Sequence, residues 1–360
     1  MRTLLFKIAF IGLIVPQIAF GAHDIDLMGK HTKEKTIKKE FQVNANAMLK
    51  VDNSYGNIYI TTWNQNKTVI EVTIKTNSNN EEKAQKKLDQ ITVDFEGSSS
   101  VVSAKTVFEK SGWNWSWGNN SNVSMEINYT IKLPVTNSVD LSNDYGSINL
   151  DRLDGKAKIS CDYGKLMIGD LNADGNELNF DYTNNSEINF IKSGNISADY
   201  SSYRLEDAND LKISADYTQS SLGTVKKLSY SCDYGSMKVD NAGVIEGNGD
   251  YLTTKLGSIS AGLNLNSDYG SIEVGEIFDG DVLIKSDYTN IKLGFNSAYD
   301  FDFEIDLSYA GLKGDDKDFN YRIQREKSSE NYYEGTRGSS GKNSLKISSD
   351  YGSVQMIKKQ

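Results

Sequence analysis

The stretch "KISCDYGKLMIG" at residues 158–169 returns, nearly letter for letter, as "SYSCDYGSMKVD" at residues 229–240. Two explanations compete: one site assembled from two halves, or two turns of a periodic structure. The shared dipeptide decides between them. Asp-Tyr occurs ten times between residues 144 and 351, with tyrosines at Tyr145, Tyr163, Tyr182, Tyr200, Tyr217, Tyr234, Tyr251, Tyr269, Tyr288 and Tyr351. The first nine stand 17 to 19 residues apart. A fixed period this short is the signature of a chain stacking copies of one unit on itself. The two strings are rungs of one ladder.

Within a rung, the apolar residues alternate. Four residues before the tyrosine stand Leu141, Ile159, Leu178, Ile196, Ile213, Leu265, Ile284 and Ile347. Three and five residues after it stand pairs such as Ile148 with Leu150, Leu166 with Ile168, and Ile291 with Leu293. A spacing of two is strand periodicity with one face inward. Even offsets are apolar before the tyrosine and odd offsets after it, and a straight strand cannot change parity without turning its apolar face out. The chain therefore bends at Tyr-Gly, where Gly146, Gly164, Gly235, Gly270 and Gly352 are expected to supply the permissive backbone. Two rungs break rhythm: "DYTNNSEINF" reads as if three residues were inserted before Ile188 and Phe190, and Gly247 replaces an aliphatic residue.

The fold expected is all-β, a single-stranded β-helix (β-solenoid) with rungs of about 18 residues. An N-terminal cap with one short helix closes one end and a C-terminal hairpin the other, because an exposed strand edge needs cover. Residues 22–133 form that cap and carry an opening rung, "LKVDNSYGNIYITTW", with its corner at Tyr55 and Gly56. "NNEEKAQKKLDQI" is the one amphipathic helical stretch. The Asp-Tyr array covers residues 134–309, a polar hairpin 310–343, and a closing rung 344–360.

Residues 1–21 read as a secretory signal peptide: Arg2 and Lys7 flank an apolar run that ends in Ala19-Phe20-Gly21. The mature chain is expected to be exported to the periplasm, the cell surface or the medium, with no transmembrane segment. Its cleavage removes those two positive charges and takes the net charge from −10 to −12. So acidic a chain repels nucleic acid. The two cysteines, Cys161 and Cys232, lie four rungs apart, on the order of 19 Å at strand spacing, too far for a disulfide. They read as small buried fillers.

Together, "LKVDNSYGNIYITTW", "INYTIKLP" before "VDLSNDYGSINL", and "LKISSDYGSVQM" give the chain an order of elements similar to that of the bacterial putative adhesin families of unknown function. These include families with auto-transporter-like adhesin head domains. The resemblance covers about residues 35 to 360 and implies an exported β-solenoid with adhesion as its role.

Three features invite a chemical reading. Asp144, Asp162, Asp181, Asp199, Asp216, Asp233, Asp250, Asp268 and Asp287 form a column, which a calcium ion or the backbone N–H groups of each following corner would satisfy. The second reading is preferred, since the aspartate recurs at every corner that needs a turn. The tyrosine column is read as structural corner packing. Trp113, Trp115 and Trp117 alternate and would face one way in an extended chain, forming a possible ligand strip or a plug for the apolar end. Enzyme chemistry finds little footing: the only histidines are His23 and His31, outside the array, and no zinc spacing or phosphate loop occurs. No cofactor is expected. The function expected is non-catalytic and adhesin-like, binding a protein or glycan of the envelope or host surface. A periplasmic structural or signalling component and a carbohydrate-active β-helix enzyme are the alternatives.

Overall fold

The computed structural model describes residues 29–109, 123–314 and 317–359. The signal peptide expected at residues 1–21 and the ligand strip expected at Trp113, Trp115 and Trp117 lie outside those residues. Twenty-six strands and one helix are described, and hydrogen bonds join all the strands into one mixed sheet.

Through the Asp-Tyr region the neighbours are parallel and far apart in sequence. Ala157–Asp162 lies between Ser138–Asp144 and Asn176–Asp181, so Ile159 sits beside Leu141 and Leu178. Ser202–Asp216 and Gln219–Asp233 run side by side at a constant offset, from Ser202 beside Gln219 to Asp216 beside Asp233. Equivalent residues thus stack in columns. Leu141, Ile159, Leu178, Ile196 and Ile213 are all buried, as are Leu150, Ile168, Leu205, Leu222 and Val239 on the other arm. Each such side chain stabilises the fold by roughly 1.5–3 kcal/mol. Both cysteines are free and buried in the column that also holds Phe180, Ala198 and Ala215.

The corners correct one expectation. The left-handed backbone belongs to the tyrosines, with φ between 50° and 64° at twelve of them, and not to the glycines that follow. Those glycines answer a different demand. A Cβ on Gly146 would lie 1.8 Å from the carbonyl oxygen of Gly56, and one on Gly164 1.9 Å from that of Gly146. Glycine is there because neighbouring layers touch backbone to backbone. Where threonine replaces it, the hydroxyl is put to use: Thr218 Oγ1 donates to Ala198 O and Asp216 O, each at 2.9 Å.

Both irregular rungs also become intelligible. One residue, not three, is inserted: Asn185, at φ 57°, bulges out, and Ser186 and Ile188 return inward while Phe190 does not. Gly247 stands beside Tyr230, whose buried ring fills the space that an aliphatic side chain at Gly247 would need.

At one end, Met48–Ser54 and Ile58–Trp63 stack on Ser138–Asp144 and Ile148–Leu153. Beyond them lie Val101–Phe108 and Val123–Pro134, then antiparallel Lys67–Ser78 and His31–Gln42. The helix, Glu81–Asp89, starts where Asn80 Oδ1 accepts from the Lys83 N–H at 2.9 Å and buries Ala84 and Leu88.

The far end departs from the expected order. The closing rung is not last in the stack. Ser344–Asp350 inserts between Asp281–Asp287 and Phe301–Ser308, and Val354–Lys359 between Asn290–Asn296 and Leu312–Gly314. The hairpin of Phe319–Glu326 and Glu330–Arg337 then pairs antiparallel onto Phe301–Ser308.

Candidate interaction face

Corner residues in left-handed backbone must project away from the core, and stacking then lines them up. Twelve tyrosine rings form one column, in the order Tyr55, Tyr145 and on through Tyr288, then Tyr351 and Tyr309. Centroids are 4.7–5.3 Å apart and planes within 9° of parallel. Phe108 meets Tyr55 edge-on at 6.1 Å. Ten of the rings are about half exposed, Tyr309, at one end, is 63% exposed, and Tyr55, at the other, is less exposed than the rest. Each interior ring has both faces covered by its neighbours, so the surface shows edges and hydroxyls. A sugar ring that stacks on an aromatic face finds none free along the column.

Tyr55 stands at the corner expected for the opening rung; Tyr309 is the member the Asp-Tyr period does not mark, since serine precedes it, and Tyr-Ala after an alternating strand is the available signal.

Beside the tyrosines runs the aspartate row. Its side chains do not cap their own corners as expected; they bond the next layer. The Asp181 N–H donates to Asp162 Oδ1 at 3.2 Å, and the pattern repeats to the Asp287 N–H on Asp268 Oδ1 at 2.9 Å. Parallel strands bring the next backbone N–H into reach, while a left-handed tyrosine turns its own away toward the following aspartate carbonyl, as in Tyr163 N–H to Asp181 O at 3.0 Å. Partial burial, then the neighbouring carboxylates, holds Asp144 and Asp287 above the usual carboxylate range. The same causes raise Asp181 against the lowering effect of its bond from Asp199. Partial burial and neighbouring phenols likewise raise Tyr163, Tyr200 and Tyr234. Among the described residues no three His, Cys, Asp or Glu side chains are grouped to hold a metal ion. No described helix is long and apolar enough to cross a membrane.

Asp181→Asn tests the row's electrostatics. Unit charges about 5 Å apart repel by roughly 0.8 kcal/mol in water, and Asp181 has Asp162 and Asp199 as neighbours. A raised folded pKa means the folded chain binds the proton more tightly. Stability therefore rises as pH falls through that value and levels off below the unfolded value, about 3.9. Asparagine keeps the acceptor oxygen and removes the charge. The variant should be more stable by about 0.5–1 kcal/mol at pH 7 and low salt, with the difference gone below about pH 4. Thermal melts at both pH values read this, and a destabilised variant at pH 7 contradicts it.

Tyr217 tests the column. Its ring stacks 4.8 Å from Tyr200 and 4.9 Å from Tyr234, at φ 53°. Tyr217→Ala loses two ring contacts, about 1–3 kcal/mol, and keeps the strained backbone. Tyr217→Gly should recover about 1 kcal/mol of this. Urea melts giving Ala at or above Gly would overturn that account of the corner.

A groove of about 750 Å³ opens beside the inserted Asn185 and is lined by residues including Met167, Glu187, Arg204 and Gln219. Arg204 there is paired with Glu206.

No protein-family model matches the chain, and no curated protein matches it. Among solved structures it is similar to a putative adhesin from Parabacteroides merdae, at 10% identity and TM-score 0.34, covering 91% of this chain and 97% of that one. A putative adhesin from Parabacteroides distasonis shares 14% identity at TM-score 0.31, covering 72% and 93%. A putative lipid binding protein from the same species shares 11% at TM-score 0.23, covering 89% and 96%. The likeness to proteins named putative adhesins, expected from the order of sequence elements, is thus met among solved structures.

Proposed function

We propose that the chain is an exported β-solenoid with rungs of about 18 residues, acting as a non-catalytic, adhesin-like binding or scaffolding protein of the bacterial envelope. A signal peptide at 1–21, a cap at 22–133, the array at 134–309, the hairpin at 310–343 and the closing rung at 344–360 make up its parts. The observation that carries the reading is the tyrosine column. Eleven steps of 4.7–5.3 Å give an unbroken half-exposed aromatic strip about 54 Å long. Soluble monomers rarely leave so large a contiguous patch bare, and such patches mark interaction sites. A single row of ring edges and hydroxyls favours contact along a line over enclosure of a small substrate.

Protease shaving of intact cells, with mass spectrometry of the released peptides, tests where it works. Peptides from 134–309 released while periplasmic controls stay silent support surface adhesion. Release only after the outer membrane is breached replaces it with the periplasmic scaffold.

A further inference from the structure

Several surface carboxylates are paired with a lysine, as Glu177 is with Lys156 and Glu273 with Lys292. Yet among the described residues no lysine or arginine forms an ion pair with Asp144, Asp162, Asp181 or any other corner aspartate down to Asp350. On the far side of the tyrosines the neighbours are uncharged polar residues such as Ser202, Gln219, Ser236 and Thr253. In the rows that directly flank the tyrosines and aspartates, Lys165 and Lys285 are the only basic residues among those described; the next rows out carry Lys158, Lys212 and Lys346 on one side and Arg204, Lys238, Lys255 and Lys292 on the other. Between its two ends, Tyr55 and Tyr309, which serines precede, the exposed aromatic strip is thus bordered by ten carboxylates with at least one oxygen that has no protein partner.

We infer that the strip is a docking face for an extended, arginine- or lysine-rich polypeptide segment of a partner protein. The inference rests on the binding role proposed above and adds the occupant. Charge selects a cation, since an unpaired row of like charges is relieved by a partner that neutralises it. Length selects a polymer, because small cations would leave most of about 54 Å of tyrosine uncovered. Covered ring faces select peptide over polysaccharide. Guanidinium groups pair with carboxylates in bidentate fashion and their stems lie against ring edges, while the serine and glutamine row offers partners to a peptide backbone. Rung spacing near 4.9 Å does not match the roughly 6.7 Å between same-side residues of a strand, so contacts are distributed along the face, and affinity should climb with the number of charges.

The test uses the full chain and a fluorescent arginine–serine repeat peptide of about sixteen residues, long enough to span the strip at ~3.3 Å each. A glutamate–serine peptide and chitohexaose serve as comparison probes. Anisotropy should show binding of the basic peptide alone, weakened at least tenfold between about 20 and 200 mM salt, where the Debye length shrinks from roughly 20 to 7 Å. Replacing Asp199, Asp216, Asp233 and Asp250 together by asparagine should weaken it at least tenfold at low salt. Replacing Asp140, Asp151, Glu246 and Glu276, which lie off the strip, by their amides should change it less than twofold; melts confirm that both variants fold. Equal weakening by the two sets, or no binding, overturns the inference. Beads coated with the full chain separate this from the underlying role: beads that adhere to cells while the basic peptide fails to bind leave adhesion standing and remove only the occupant.

Discussion

Removing residues 344–360 should open the ladder from within. A rung at the end of a stack can be trimmed at the cost of one layer, but this one is held between Asp281–Asp287 and Phe301–Ser308. Leu345, Ile347, Val354 and Met356 are each no more than 2% exposed, so their loss removes about 6–12 kcal/mol of burial at roughly 1.5–3 kcal/mol apiece. It also bares two facing pairs of strand edges, a template for aggregation. In a stack that contacts only its neighbours the damage stays local. Hydrogen exchange should show Phe301–Ser308 and the hairpin losing protection while Ser202–Asp233 keeps it, and size exclusion should show self-association. If amides in Phe301–Ser308 stay protected, the inserted rung is not what holds that end together.

The same rung shows where reading a sequence stops short. Its pattern, Leu345, Ile347, Asp350, Tyr351, Gly352, Val354, is the pattern of every other rung. Periodicity therefore identified it as a rung and said nothing of its neighbours, because identical columns make every slot equally acceptable. What alternation and period do specify, the inward columns and the tyrosine line, is fixed by local geometry and was legible. The sign of φ was not. Glycine is the usual owner of left-handed backbone, and the contact that requires it here, Gly164 against Gly146 O, comes from the adjacent layer. The aspartate bonds were misassigned for a related reason: a local corner and a stacked strand offer the same kind of donor, and only the stack places it. The insertion at Asn185 is visible in the sequence but its size is not, because alternation alone allows Phe190 inward, whereas Ser186 and Ile188 are the buried pair.

Gly247 is the case where the missing information was present and unread. One layer earlier the same column holds Tyr230, the largest residue in that position, and the two are direct partners in register. Tyr230 is 6% exposed, and a Cβ on Gly247 would lie 2.2 Å from its Cζ. A large and a small residue thus share the space that two aliphatic residues occupy elsewhere. Gly247→Leu alone should cost about 3 kcal/mol or more, since the added side chain has nowhere to go. Tyr230→Leu alone leaves a void and should cost about 2–4 kcal/mol. Both together rebuild the ladder from Ile213 to Leu265 and should return within about 1 kcal/mol of the parent, a coupling of at least 4 kcal/mol between partners in contact. Chemical denaturation of the four proteins measures it. Additive losses would mean that the two residues do not share one space, and that the glycine serves the backbone instead.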